Sequence, residues 1–181
     1  MSIANELRQL IDYHNCRVFI REGEELLPIA FQGELTATDR TAAQVFRTRV
    51  GEGLTGYVVE TGEPLLLDDA SACEVAVEIP GTAKIEESII AVPLHYGSRV
   101  TGAIVVSKLG LSQFDEDDLR LLEVLAGHAA VALENARLYE AQRREAESAK
   151  SLLELTRELS AVTDLDGVLT QVVSGTARIM G

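Results

Sequence analysis

VGEGLTGYVVETGEPLLLDD, residues 50 to 69, is the stretch whose reading decides the fold. It holds a G-x-G-x-x-G triplet at Gly51, Gly53 and Gly56, the spacing of a dinucleotide-binding turn. That reading needs a buried strand before Gly51, a long helix after Gly56 and an acidic residue about 20 positions on. The upstream residues 41–50, TAAQVFRTRV, are too polar for a central parallel strand. The helix after Gly53 has room for only about two turns, Leu54 to Thr61. Gly62 then stands where a left-handed cap belongs, Pro64 blocks a restart, and a strand at Leu65 to Leu67 follows at once. No βαβ crossover fits, and no Lys follows the glycines as a phosphate-binding loop requires. The triplet is read instead as a tight loop leading into a short helix.

Outward from this stretch, the residues up to about Leu138 read as one α+β domain. Ile3 to Tyr13 carries Leu7, Leu10 and Ile11 at helical spacing. Cys16 to Ile20 and Leu26 to Phe31 form a hairpin around Glu22-Gly23-Glu24-Glu25. Residues 70–84 show no clean period and read as a loop with a short helix. Ser88 to His95 and Arg99 to Lys108 form a second hairpin around Tyr96-Gly97-Ser98. Both of its strands are apolar at consecutive positions, Ile89 to Val92 and Ala103 to Val106. Clean alternation would mark one solvated face. Its absence predicts a sheet covered on both sides, by helices on one face and by the loop-rich residues 36–84 on the other. Such a roof encloses a small-molecule cavity or a fully packed core.

Composition narrows the class. Hydrophobic residues make up 46% of 181 residues, enough for a real core. Sixteen basic residues against 29 acidic give a net charge of −13, which argues against nucleic acid and anionic membrane surfaces as partners. No apolar run is long enough for a membrane span, and the charged N-terminus does not read as a signal peptide. Two cysteines, Cys16 and Cys73, do not make a disulfide scaffold. A soluble, cytoplasmic protein is expected.

A long helix follows. Asp115 to Asp118 place acidic residues at its start, where the helix dipole favours them. Leu119, Leu122, Leu125, Ala126, Ala129, Ala130 and Leu133 form a wide apolar stripe. Leu152, Leu155, Leu159 and Val162 continue at 3-4-3 spacing, a short coiled-coil seam. From Asp115 to Ser160, at 1.5 Å per residue, is roughly 69 Å, more than a globular core needs. A parallel helical homodimer through residues 115–160 is the expected use. Asp164 to Gly167 reads as a cap and turn, after which Val168 to Ile179 restarts an amphipathic helix. The chain therefore reads as part of something longer.

The order of three blocks resembles a GAF domain: the glycine turn and short helix VGEGLTGYVVETGEPLLLDD, the paired strands SIIAVPLHYGSRVTGAIVVSK, and the closing helix FDEDDLRLLEVLAGHAAVALENARLYE. The tail LLELTRELSAVTDLDGVLTQVVSGTARIMG resembles the linker and first helix of a second such domain. The resemblance implies an α+β, PAS-like antiparallel sheet flanked by helices, with a long C-terminal helix. It divides the chain into a GAF domain at 1–139, a helical linker at 140–162 and the opening helix of a second GAF domain at 163–181. It also implies a sensory or regulatory module of a signal-transduction protein, such as a bacterial two-component regulator. An unknown small ligand or partner would be relayed to a downstream output domain.

Family ligands include cyclic nucleotides, haem, bilins, iron and small metabolites. The cyclic-nucleotide branch carries Asn-Lys, Phe and Asp-Glu where this chain has Ser107-Lys108, Phe114 and Asp118-Leu119. A structural ion pair between Lys108 and Asp118 is expected; the missing Asn and Glu argue against cyclic nucleotides. Cys73 lacks the aromatic and His neighbours of a bilin attachment site. His14, His95 and His128 have no metal-ligand spacing; His14 and His95 read as solvated, and His128 as a core or interface residue. Haem, bilin and metal cofactors are thus not expected, and no catalytic constellation is evident. The apolar residues expected to line a ligand cavity are Phe19, Phe46, Leu54, Val58, Ile79, Ile85, Ile90 and Val92. Two other readings compete: a cysteine-dependent free methionine sulfoxide reductase, and a ligand-free dimerisation module.

Overall fold

The computed structural model describes residues 11–33, 47–73 and 86–179, with side chains of the last helix described mainly up to residue 157. The chain divides into two units, Met1–Glu134 and Asn135–Gly181.

The first unit is built on one antiparallel sheet. Its strands are β1 (Asn15–Glu22), β2 (Glu25–Gln32), β3 (Thr48–Arg49), β4 (Leu65–Leu67), β5 (Glu87–Tyr96) and β6 (Arg99–Leu109), in the spatial order β3-β2-β1-β6-β5-β4. β1 and β2 form the first hairpin, turning at Gly23 with φ +65°. A bulge at Val18/Phe19 shifts its register. β5 and β6 form the second hairpin, turning at Gly97 with φ +61°. β1 pairs with β6 and so joins the hairpins at mid-sheet. Helix α1 (Gly53–Thr61) and a 3₁₀ turn (Ala70–Ala72) lie between β3 and β5 in the chain.

Both faces of the sheet are covered, as its two-sided apolar strands require. Because side chains alternate along a strand, β5 and β6 feed two cores. Ile90, Val92, Leu94, Ile104 and Val106 join Cys16 and Val18 of β1 against Leu122, Ala126, Ala129 and Ala130 of helix α2 (Glu116–Ile179). Ile89, Ala91, Ala103 and Val105 join Phe19 and Leu26 against Val58 and Val59 of α1. The apolar stripe read from residues 119–133 is the surface that α2 presents to the sheet. Leu119, Leu125 and Leu133 pack at its margin.

α2 starts as its acidic residues predict. The Asp115 carboxylate accepts from the N–H groups of Asp117 (2.9 Å) and Asp118 (3.0 Å), and Asp118 Oδ2 accepts from the Asp115 N–H (3.1 Å). This is a capping box with Asp in the Glu position.

Two expectations are corrected. Helical backbone runs unbroken through Asp164–Gly167, where the sequence suggested a turn. An isolated glycine costs a helix only about 1 kcal/mol, and helical spacing continues on both sides. Lys108 does not pair with Asp118. It pairs with Asp12 at 2.8 Å, because Asp118 is already held in the capping box. The predicted N-terminal helix lies mostly outside the described residues; Ile11 to Tyr13 are not helical, and Ile11 and Tyr13 are buried.

Candidate functional site

The sheet face beneath α1 is the candidate site, and the glycine triplet sets its roof. Gly51 (φ +81°) and Gly53 (φ +65°) take left-handed conformations that L side chains rarely adopt. Gly56 is required for a different reason: a Cβ there would drive into the Arg49 carbonyl. The loop closes on itself through Gly51 N–H to Gly56 O (2.9 Å) and Gly56 N–H to Glu52 O (3.1 Å). Val50 N–H bonds Glu24 O at 3.0 Å and ties the loop to the first hairpin. At the far end Gly62 is left-handed (φ +71°), and its N–H bonds Val58 O (3.0 Å), the cap expected there. The His95 ring nitrogen Nε2 lies 3.1 Å from Gly62 O and joins the helix end to β5.

The structure brings some of the expected cavity residues together. Phe19 and Val58 are buried in the core beneath α1, and Leu54 packs half-buried against it. Ile90 and Val92 lie on the opposite face, against α2. The two-residue period puts Ile89 and Ala91 on the α1 side instead. Phe46, Ile79 and Ile85 fall outside the described residues.

The apolar reading missed the polar residues on this same face. Parity on β1, β5 and β6 places Asn15, Arg17, Glu87 and Ser107 on the side of Phe19, Ile89 and Val105. Strand parity was the signal that could have found them. Arg17 Nε is enclosed. Burial draws the Arg17 pKa down from the usual guanidinium range, while Glu87 and then Cys16 pull it back up. Cys16 sits on the other face, fully buried among apolar side chains. Burial pushes its thiol up to about 12, slightly offset by Arg17, so it rests protonated at neutral pH. Cys73 is half-buried.

Among the described residues no group of three or more His, Cys, Asp or Glu is placed to hold a metal ion. None of the helices among them is long and apolar enough to cross a membrane. His128, expected at a core or interface, is exposed in the single chain.

Comparison with known proteins agrees with this architecture. A family model described as a GAF domain matches residues 2–134. The GAF domain of a phosphoenolpyruvate-protein phosphotransferase from Coxiella burnetii is similar, with a TM-score of 0.67 and 25% identity over 77% of this chain and 82% of that one. The free methionine-R-sulfoxide reductase of Neisseria meningitidis is also similar, with a TM-score of 0.62 and 25% identity over 75% of this chain and 76% of that one. A dual 3',5'-cyclic-AMP and -GMP phosphodiesterase 11A from Takifugu rubripes is 26% identical over 176 residues, 91% of this chain. The chain spans 20% of that relative's length.

Proposed function

This chain belongs to the GAF domain family, and on that premise we propose that it is a sensory module of a signalling protein. A small molecule held on the α1 face of the sheet is relayed through α2, as part of a homodimer, to an output domain. The observation that carries the reading is the division of β5 and β6 between two cores. Ile89, Ala91, Ala103 and Val105 face α1, while the residues between them face α2. A ligand that shifts the strands on one side must repack the other, since close-packed cores transmit strain. The ligand's differential affinity for the two packings sets the size of the response.

Exposed apolar residues support the dimer. Within the first unit, Val124 and Val131 are 59% and 47% exposed, one heptad apart. Within the second, Leu152, Leu153 and Leu155 are all more than half exposed. A second copy of the helix would cover them. On this reading residues 140–162 are the linker and residues 163–181 open a second domain.

The test is a helix-phase experiment in the full-length protein. One residue inserted between Glu140 and Lys150 turns everything beyond it by about 100 degrees. Output should change sharply, and a further insertion that completes two turns should restore it. Indifference to both insertions sinks the relay.

The similarity to the Neisseria meningitidis reductase keeps a second reading in play, in which the chain reduces free methionine sulfoxide through cysteine. The resting thiol of Cys16, buried on the far face from α1, counts against it. Turnover of free methionine sulfoxide that is lost in Cys73→Ala would overturn the purely sensory reading.

A further inference from the structure

The second unit begins at Asn135, and every side chain from 135 to 157 is exposed in the single chain. A helix bathed in water on all sides is expected to be polar all round. This one is not. Leu138 and Leu152 are 48% and 65% exposed, and Tyr139, Leu153 and Leu155 are more than half exposed.

These residues follow a heptad. With Leu138 at d, the d positions are Leu138, Glu145 and Leu152, and the a positions are Asn135, Gln142, Ala149 and Thr156. The flanking e and g positions hold Tyr139, Ala141, Ala146, Ser148, Leu153 and Leu155. Every charged residue from 135 to 157 except Glu145 falls at b, c or f. The ion pairs Arg143–Glu147 (2.9 Å) and Lys150–Glu154 (4.0 Å) run along that outer side. Solvation alone gives a helix no reason to segregate its charges in this way. In the sequence the same d spacing extends back to Val131 and Val124 and forward to Leu159.

The polar a positions select the occupant of this face. Asn135 and Gln142 carry amides, each with N–H donors and a carbonyl acceptor, so each is satisfied by its own counterpart. That requires identical residues to meet across the seam, which happens between parallel copies in register. An antiparallel copy turns a positions toward d positions and sets these amides against apolar side chains, as an unrelated apolar helix would. The lack of charge at e and g removes the repulsion that identical chains would otherwise meet there. Glu145 alone faces its own like charge, and it loosens the middle of the seam between the Leu138 and Leu152 layers.

We propose that a second copy of this chain packs on the a/d face of residues 135–157, parallel and in register, and that Asn135 and Gln142 pair with their own counterparts to set the alignment. The proposal rests on the homodimer of the sensory reading above. It adds the face that is used, the direction of the partner and the residues that fix both. The apolar d layers supply the attraction, and the amide layers supply the register, at some cost in stability.

The test uses the 181-residue chain carrying Cys73→Ala, which leaves the buried Cys16 as its native thiol. Leu138→Cys and Leu152→Cys, made singly, should each oxidise to a covalent dimer, because identical d positions meet within disulfide reach. Lys150→Cys, on the outer side, should run as monomer on a denaturing gel. Without added cysteines, Leu138→Ala should raise the dimer Kd at least about 100-fold in sedimentation equilibrium, since it truncates one leucine in each copy. Asn135→Leu combined with Gln142→Leu should add trimers or tetramers to the dimer. All these side chains are exposed in the single chain, so the sheet domain should stay folded in every variant. A chain that stays monomeric, or that cross-links at Lys150→Cys but at neither leucine, overturns the seam. A pure dimer in the double leucine variant overturns the role of the amides. The relay is decided separately, by the insertion experiment in the full-length protein: output that follows helix phase would preserve the sensory reading even if this seam fails.

Discussion

Arg99 Nη2 lies 3.3 Å from Glu134 Oε1, joining the turn end of the β5–β6 hairpin to α2. The Glu134 side chain is only 10% exposed, whereas that of Arg99 is 64% exposed. The pair is therefore asymmetric: the carboxylate is the desolvated partner, and the guanidinium is screened by water. Glu134→Ala should cost about 1–2 kcal/mol and Arg99→Ala less than about 1 kcal/mol. Urea denaturation of both single variants and the double variant checks this, with a coupling energy below about 1 kcal/mol expected.

Gly56 faces the Arg49 carbonyl without room for a methyl group. Gly56→Ala should destabilise the domain by about 1–3 kcal/mol through overpacking. Gly23→Ala meets no neighbour and should cost less, since only its left-handed φ is at issue. Equal denaturation midpoints for the two variants would show that the roof loop is not tightly packed.

Lys108 bonds Asp12 at 2.8 Å, while Asp118 serves the start of α2. A double-mutant cycle between Lys108 and Asp118 should return a coupling near zero. The cycle between Lys108 and Asp12 should return a small favourable value, at most about 1 kcal/mol, because Asp12 is 86% exposed. Asp115→Ala removes the cap acceptor and should cost about 1 kcal/mol.

Cys16 has its thiol pushed from an ordinary 9.0 up to about 12 by burial. The fold therefore keeps a proton that the unfolded chain gives up. Stability from this group is intact below pH 9 and falls as pH climbs toward about 12, by up to about 1.4 kcal/mol per pH unit. Cys16→Ala should show a shallower decline over that window in denaturant midpoints. Alkylation of the native protein should modify half-buried Cys73 first and Cys16 only on unfolding.

The local signals in the chain were legible because they are short-range. Gly62 and Pro64 end α1 where helix physics says they must, and Asp115 caps α2. Both hairpins follow from their turn residues, and the 3.6-residue stripe on residues 119–133 named the helix face that meets the sheet. Composition alone does not separate Ile90 and Val92, which face α2, from Ile89 and Ala91, which face α1, because neighbouring strand positions are equally apolar; only pairing fixes which one points where.

The sequence by itself determined the two hairpins, the short helix after the glycine turn, the start of the long helix and the rejection of the dinucleotide reading, since each depends on spacing within a few residues. Only the tertiary structure decided the partners: Asp12 rather than Asp118 for Lys108, and Ser107 opposite Asn15. Those contacts join residues that are far apart in the chain. Their register is set by the whole sheet, and no local pattern carries it.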